Sequence, residues 1–412
     1  MYMKPIELVL EKFRNFRDVV IPLGKKITVI SGVNGVGKSN ILSLIASGSG
    51  INKKSILGSN FQPEFSDFFN IDENENYKEY QIFLKYGEEN KIVTLTKRLS
   101  FKNDTNVNRG IRIIPRTSNK YLNGYTIKKA EEKAKLDFNV GGAGRVKIPT
   151  IYLSLSRLYP LGENKDLTHI SKIKKSNPFA KEEMVKIYRE WYNFVIPNSI
   201  KLSTEISIIE KKACPRSSLH MEIEGTPALS QSIGQDNIGN IISALVDIYL
   251  LSKETEYKGA LLCIDEIDVS LHPDTQIRLF ELIKTLCNDI SLQVIVSTHS
   301  LTILKESLEE EKKCSEDFKV VYLKNPSMPI SASFKSFELL EADMFNKTSL
   351  KKVFPKIYFE DCVGQELFIQ HINAFRNIVK LVEKSSESAV INLSGRKPGT
   401  TSVSKSVFLI SL

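Results

Sequence analysis

The chain lacks any run of about 18 apolar residues, so no segment is a candidate for a membrane-spanning helix. Its N-terminus has no apolar signal-peptide core, and a soluble, cytoplasmic protein without membrane contact is expected. The five cysteines (Cys214, Cys263, Cys287, Cys314, Cys362) are scattered and form no C-x-x-C pair, which excludes a zinc-ribbon site and a disulfide framework. Cys263 stands inside an apolar run and reads as a core residue. There is no internal repeat and no long heptad stretch, so solenoids and extended coiled coils are excluded as well.

With 412 residues the chain has room for one large domain with insertions, or for two domains. Gly32-Val33-Asn34-Gly35-Val36-Gly37-Lys38-Ser39 is a complete G-x-x-x-x-G-K-S phosphate loop. The β-branched run Ile27–Ile30 precedes it as a buried strand. Asn40 to Ala46 follows as a helix with Ile41, Leu44 and Ile45 apolar. Glycines let backbone N–H groups curl around phosphate oxygens, and the helix start adds partial positive charge. Lys38 would reach the β- and γ-phosphates of ATP, and the Ser39 hydroxyl would ligate Mg²⁺.

Two later strands end in polar groups. Leu261-Leu262-Cys263-Ile264 closes on Asp265-Glu266. Carboxylates at a strand end are costly unless they meet a cation. Asp265 would hold Mg²⁺ directly or through water, and Glu266 would act as general base on the attacking water. Leu292 to Ser297 leads to Thr298-His299-Ser300, where His299 could hydrogen-bond the γ-phosphate or the attacking water. A lone histidine at a strand end is commonly a polar cap, but its place after Asp265-Glu266 favours function. Gln231-Ser232-Ile233-Gly234-Gln235 opens an apolar helix from Ile238 to Leu251 and is a second anion-binding shape. One phosphate loop already serves the chain's own nucleotide, so Ser232, Gly234 and Gln235 point to a γ-phosphate presented by another subunit.

The remaining chain reads as lobes around this frame. Residues 6–22 form a hairpin, with Arg14 or Arg17 beside the nucleotide or on a solvated edge. Two strand-like runs in 79–98 and another at 111–114 make an antiparallel lobe inserted after the phosphate loop, with a charged helix from Lys128 to Lys135. Net charge is +9, and residues 97–147 alone, with thirteen Lys/Arg against four Asp/Glu, carry a surplus of the same size. Such a stretch suits DNA or forms a solvated face. Ile148 to Leu155 is a buried strand with Ser156-Arg157 at its end, where open α/β sheets place functional groups. Residues 161–178 read as a loop and 179–194 as a helix. At the far end, Lys356–Asp361, Gly364–Phe375 and Ala389–Leu393 read as β-α-β, followed by a Ser/Thr/Lys-rich tail.

The order Phe13-Arg14-Asn15-Phe16, Gly32 to Ser39, Ser232-x-Gly234-Gln235, Asp265-Glu266 and Thr298-His299-Ser300 resembles an ABC-type ATPase head of the RecF, SMC and OLD branch. Gln231 and Ile233 depart from that pattern, which has leucine and glycine there. The resemblance covers roughly residues 4–345. It implies an α/β P-loop NTPase of ABC-ATPase type with an inserted antiparallel β lobe (about 76–147) and a helical lobe (about 160–250). ATP and Mg²⁺ are the implied cofactors, with Gly32, Asn34, Gly35, Gly37, Lys38, Ser39 and Asn40 on the nucleotide and Gln62 coupling Mg²⁺ to the lobes. It also implies a homodimer, or a higher homo-oligomer, closed through ATP-bound heads, with residues 268–273 as the dimer-crossing loop.

Heads without coils that carry Leu153-Ser154-Leu155-Ser156-Arg157 and Ile264-Asp265-Glu266-Ile267-Asp268 resemble bacterial antiphage ATPases, in particular the ATPase-subunit family of Septu systems, which works with an HNH nuclease partner. Residues 346–412 resemble the start of a Toprim nuclease domain with Glu360 as a metal ligand. No aspartate follows Asp361, so a degenerate or truncated remnant without cleavage activity is expected. An ATP-driven switch in a defence complex, acting on or near DNA and controlling a nuclease, is the first expectation. A RecF-like repair ATPase and an OLD-type ATP-controlled nuclease are the alternatives.

Overall fold

A computed structural model describes residues 3–88, 94–107, 110–161, 168–172, 178–201, 206–212, 214–221, 223, 230–346 and 362–382. The chain divides into two compact units, Met1–Phe345 and Asn346–Leu412.

The first unit is built on a six-stranded sheet in the order β16-β15-β3-β14-β13-β9. Its members are β3 (Ile27–Gly32), β9 (Thr150–Leu153), β13 (Ala260–Ile264), β14 (Leu292–Ser297), β15 (Phe318–Lys324) and β16 (Ile330–Ala332). Only β16 runs antiparallel to its neighbour; the other pairings are parallel. Parallel strands covered on both faces read as continuous apolar runs, and β3, β13 and β14 are buried at every position. Their alternate residues go to two cores. Ala260, Leu262, Ile264, Leu292, Val294 and Val296 join one, which also takes in the helical side of the sheet. Leu261, Cys263, Ile295 and Ile30 join the other, with Ile41, Leu44 and Ile45 of α1 (Lys38–Ser47).

That second core is closed by a five-stranded antiparallel sheet, β2-β1-β6-β7-β8. It comprises β1 (Met3–Phe13), β2 (Phe16–Pro22), β6 (Gln81–Glu88), β7 (Thr94–Asn103) and β8 (Ile111–Thr117). The expected inserted lobe is thus completed by the N-terminal hairpin, because β1 pairs with β6 on its other edge. A short pair, β4 (Ile51–Lys54) and β5 (Asn60–Phe61), follows α1, and α2 (Ile127–Phe138) is the expected charged helix. Its buried positions are the small Ala130 and Ala134.

On the opposite face lie α3 (Pro178–Val195), α4 (Ile233–Ser252), α5 (Pro273–Asp289), α6 (Leu301–Lys313) and α7 (Phe337–Met344). The stretch expected as a helical lobe also contains a three-stranded antiparallel sheet of β10 (Thr168–Lys172), β11 (Ile206–Lys211) and β12 (Ser218–Met221). The loop expected over 161–178 is corrected at β10, a polar strand whose only apolar residue is Ile170. Its strand character comes from pairing with β11, which periodicity within one segment does not reveal. In the second unit, α8 (Cys362–Val382) covers the expected helix 364–375. The expected strands 356–361 and 389–393, with Glu360, and the tail beyond 395 lie outside the described residues.

Candidate functional site at the parallel-sheet edge

Strands β3, β14, β13 and β9 are consecutive and parallel, so the segments that leave them emerge at one edge. Ile30 is level with Ser297, Val296 with Ile264, and Ile264 with Leu153. The phosphate loop leaves β3, Thr298-His299-Ser300 leaves β14, Asp265-Glu266 leaves β13, and Ser156-Arg157 follows β9. Segments more than 200 residues apart in sequence therefore converge.

The phosphate loop has the backbone that its glycines allow. Gly37 sits at φ +97° as the N-cap of α1, and a Cβ there would come within 2.7 Å of the Phe16 ring. Gly32 sits at φ +147°, and its Cβ would press on the Leu323 carbonyl at 2.2 Å. Phe16, from the Phe13–Phe16 motif, thus forms the floor of the loop. Asn34 and Gly35 are exposed at the tip, while Ser39 and Asn40 lie half-buried in the first turn of α1. Lys38 is buried, and its Nζ donates to Gly32 O at 3.3 Å. Burial lowers the Lys38 pKa, opposed by the negative charges of Glu266, Asp265 and Asp268. His299 is pushed below its ordinary value by burial and then by Lys38, with Glu266 and Asp268 acting the other way. These couplings place the lysine, the acids and the histidine within one electrostatic neighbourhood.

The acidic turn is tightly held. Ser297 Oγ donates to Asp265 Oδ1 at 2.6 Å and accepts from the Glu266 N–H at 2.7 Å. Asp265 N–H donates to Leu153 O, tying β13 to the end of β9. Glu266 has φ +45°, the left-handed region that non-glycine residues seldom occupy. Thr298 Oγ1 donates to Asp268 Oδ1 at 2.5 Å. Ser297 was not singled out from the sequence. The signal that could have found it is a hydroxyl closing an otherwise apolar strand beside the acidic one.

Ser232 caps α4 in a reciprocal capping box with Gln235. The Ser232 hydroxyl accepts from the Gln235 N–H, and Gln235 Oε1 accepts from the Ser232 N–H. The serine proton and the Gln235 amide N–H groups are not used in that box. Gly234 lies against the 268–273 loop, where a Cβ would approach Ser270 O to 2.3 Å. Gln62 is apart from these contacts. It donates to Glu64 and lines a cavity of about 110 Å³ with Thr150, Tyr152 and Arg216. Arg14 is held by Glu75 and lies over the Phe69 ring, and Arg17 donates to the Phe16 carbonyl.

The basic stretch is less available than its composition implies. Lys97 is fully buried, donates to Thr117 Oγ1 and Gly141 O, and is pushed down to about 8 by desolvation. Lys102 and Arg112 share Asp104, Lys120 pairs with Glu11, and Arg145 pairs with Glu64. Arg98 and Arg116, by contrast, stand exposed and directly opposite each other on β7 and β8. Arg109 lies outside the described residues.

Residues 160–304 match the AAA ATPase domain family, a span that includes the acidic turn and His299 and begins after the phosphate loop. No curated protein matches the chain. Solved structures similar to it include the SMC head domain from Thermotoga maritima, at 14% identity and TM-score 0.42, covering 80% of this chain and 99% of that one. The SMC head bound to the C-terminal winged-helix domain of ScpA matches at 17% identity and TM-score 0.46, covering 80% and 98%. The recombination mediator RecF matches at 14% and 0.37, also covering 80% and 98%. Among the described residues no helix is long and apolar enough to cross a membrane. With a phosphate loop, an acidic strand end and a histidine converging on one edge of a parallel sheet, and an ATPase domain family matched across the last two, the protein is an ATPase on a mixed α/β fold with an inserted antiparallel sheet.

Proposed function

We propose that the chain is an ATP-driven dimeric switch of the SMC/RecF class, serving a bacterial antiphage defence complex in the cytoplasm. It acts on or near DNA and controls an HNH-type nuclease partner. The observation that carries the switch is the convergence of Lys38, Asp265, Glu266 and His299 from three adjacent strand ends, with the Ser232 turn seated on the loop that follows the acids. In this reading Lys38 and the loop N–H groups of Gly32 to Ser39 hold the β- and γ-phosphates of ATP, with Asn40 alongside. Ser39 and Asp265 fit Mg²⁺: one is a half-buried hydroxyl in the first turn of α1, the other a carboxylate with only Oδ1 committed to Ser297. When bound, the ion would neutralise phosphate charge. Glu266 takes a proton from the attacking water, and His299 orients that water or the γ-phosphate. Ser232 and Gln235 close the open flank of a second copy's ATP with the donors their capping box leaves over. The defence role, the nuclease and the DNA rest on the motif resemblance and on the exposed Arg98–Arg116 pair.

The test is Glu266→Gln, which keeps shape and removes the base. Loss of a general base costs about 10²–10⁴-fold in rate. The variant is expected to bind ATP, turn over at that reduced rate and sediment as an ATP-bound dimer. Wild-type turnover would move the base role away from Glu266, and an ATP-bound monomer would overturn the composite two-subunit site. Co-purification from the native operon tests the nuclease: recovery of the ATPase without a nuclease removes that part of the reading.

A further inference from the structure

Arg157 presents a problem that its motif does not explain. Its side chain is about 1% exposed, and a buried guanidinium is costly unless its donors are met. Among the described residues no carboxylate takes it directly. Desolvation pushes its pKa down to about 10, with Asp265 the strongest opposing charge, so it stays protonated at neutral pH. Its donors go elsewhere: Nε to Asn237 Oδ1 at 2.8 Å, Nη1 to Ser154 O at 2.9 Å and Leu153 O at 3.3 Å, and Nη2 to Glu266 O at 3.0 Å. One side chain therefore joins the end of β9, the first turns of α4 and the turn that carries Glu266.

The contact with Glu266 is the informative one. A left-handed conformation is strained for a non-glycine residue, because Cβ crowds the carbonyl oxygen. Such strain persists only where the surroundings over-determine it. Here the residue is pinned from both sides, by Ser297 Oγ at its N–H and by Arg157 at its carbonyl. The backbone direction so imposed sets where the Glu266 carboxylate starts. Asn237 then ties this clamp to α4: its Oδ1 takes the Arg157 bond while its Nδ2 donates to Val269 O at 2.9 Å. Gly234 presses on Ser270 in the same loop. Behind the arginine, Lys211 donates to the Arg157 carbonyl and pairs with buried Asp236, next to Asn237. Tyr192 holds the Gln235 carbonyl.

We infer that Arg157 is a positioning residue: with Asn237 it makes the conformation of Glu266 depend on the seating of the first turns of α4. Engagement of Ser232 and Gln235 by a second copy's ATP is thereby transmitted to the general base. The relay rests on the two-subunit reading above and extends it, since it supplies a physical link between closure and hydrolysis.

The test compares full-length Asn237→Ala, Asn237→Asp and Arg157→Lys with wild type. Measurements are fluorescent-ATP affinity, KM, kcat against protein concentration, and Tm. A small misplacement of a reacting group can cost about 10²-fold. Asn237→Ala and Arg157→Lys are expected to bind ATP within about twofold of wild type with unchanged KM, while kcat falls by about that factor. Asn237→Asp keeps an acceptor for Arg157 Nε but loses the donor to Val269 O, and is expected to recover part of the loss. Wild-type kcat per subunit should rise with concentration, and in Asn237→Ala that rise should be blunted.

A purely structural role would lower Tm and leave kcat of the ATP-binding fraction unchanged, and that result overturns the relay. If Arg157→Lys does not fold, the Asn237 pair decides: equal loss in Ala and Asp, or no loss in either, overturns it. If wild-type turnover is Lys38-dependent but independent of concentration, the two-subunit reading fails and the relay with it. If wild type is concentration-dependent and Asn237→Ala is identical to it, only the relay fails.

Discussion

The parallel-sheet edge and the antiparallel sheet both carry charge, and they use it in opposite ways. At the edge, Lys38 follows β3 while Asp265, Glu266 and Asp268 follow β13, yet they share one neighbourhood, and Lys38 reaches only loop carbonyls. In the antiparallel sheet and the segment that follows it, several cations are instead taken by acids: Asp104 takes two, and Glu11 and Glu64, far away in sequence, take one each. A motif at fixed spacing therefore located a site, whereas a surplus of charge over fifty residues overstated a surface. Charge counts ignore acids that are distant in sequence, and they treat a buried Lys97 like an exposed Arg116.

The largest expected effect breaks the first half of this comparison. Lys38→Ala removes the one phosphate-loop cation and should abolish measurable ATP binding in a fluorescence titration while leaving the circular dichroism unchanged. Tight binding by the variant would mean that the edge is not organised around this lysine. The second half is tested through Lys97. Truncation to alanine leaves Thr117 and Gly141 acceptors without a donor and opens a cavity, together costing about 2–4 kcal/mol of stability. Thermal unfolding should report that loss with ATP turnover unaffected. An unchanged Tm would return Lys97 to the solvated set.

A smaller effect concerns Arg98 and Arg116. Like charges directly opposite on paired strands repel, so the pair is retained at a cost that a bound polyanion would offset. Reversing both to glutamate should weaken DNA binding roughly equally across sequences and reduce the log–log salt slope by about 2, one for each phosphate that is no longer neutralised. An unaltered slope would mean that neither arginine meets a DNA phosphate.

The smallest effect is the pH response of the edge. Burial and Lys38 hold the His299 pKa below its ordinary value, so the ring is mostly neutral at pH 7 and takes a proton at more acid pH than an ordinary histidine. kcat/KM, which reports the free enzyme, should therefore hold as pH falls to the ordinary histidine pKa and decline only at more acid values. His299→Gln, which replaces the ring with an amide that does not titrate, should lower the plateau by about tenfold and remove that acid limb. A limb at or above the ordinary histidine pKa would contradict this electrostatic picture.

Much of the first unit was legible in the sequence because its signals are local. Gly32 to Ser39 needs glycine where φ is positive and where Phe16 and Leu323 crowd the backbone. The apolar runs at β3, β13 and β14 can only be strands buried on both faces, and a polar group at the end of each marks the functional edge. Capping at Ser232 is a four-residue pattern. The pairing of β1 with β6, strand β10 in a polar stretch and the pairing of Lys102, Arg112, Lys120 and Arg145 with acids were not legible. Each depends on residues brought together from afar, and no window of sequence contains both partners. The same holds for the support of Glu266. Glu266 could be named from Asp265-Glu266 alone, but its left-handed backbone, held by Ser297 from the neighbouring strand and by Arg157 from the strand on the other side, exists only once three parallel strands lie in register. Local chemistry determined which groups could act on a phosphate. Only tertiary packing decided how those groups are aimed, because a side chain's direction is set by contacts that the chain's own neighbours do not make.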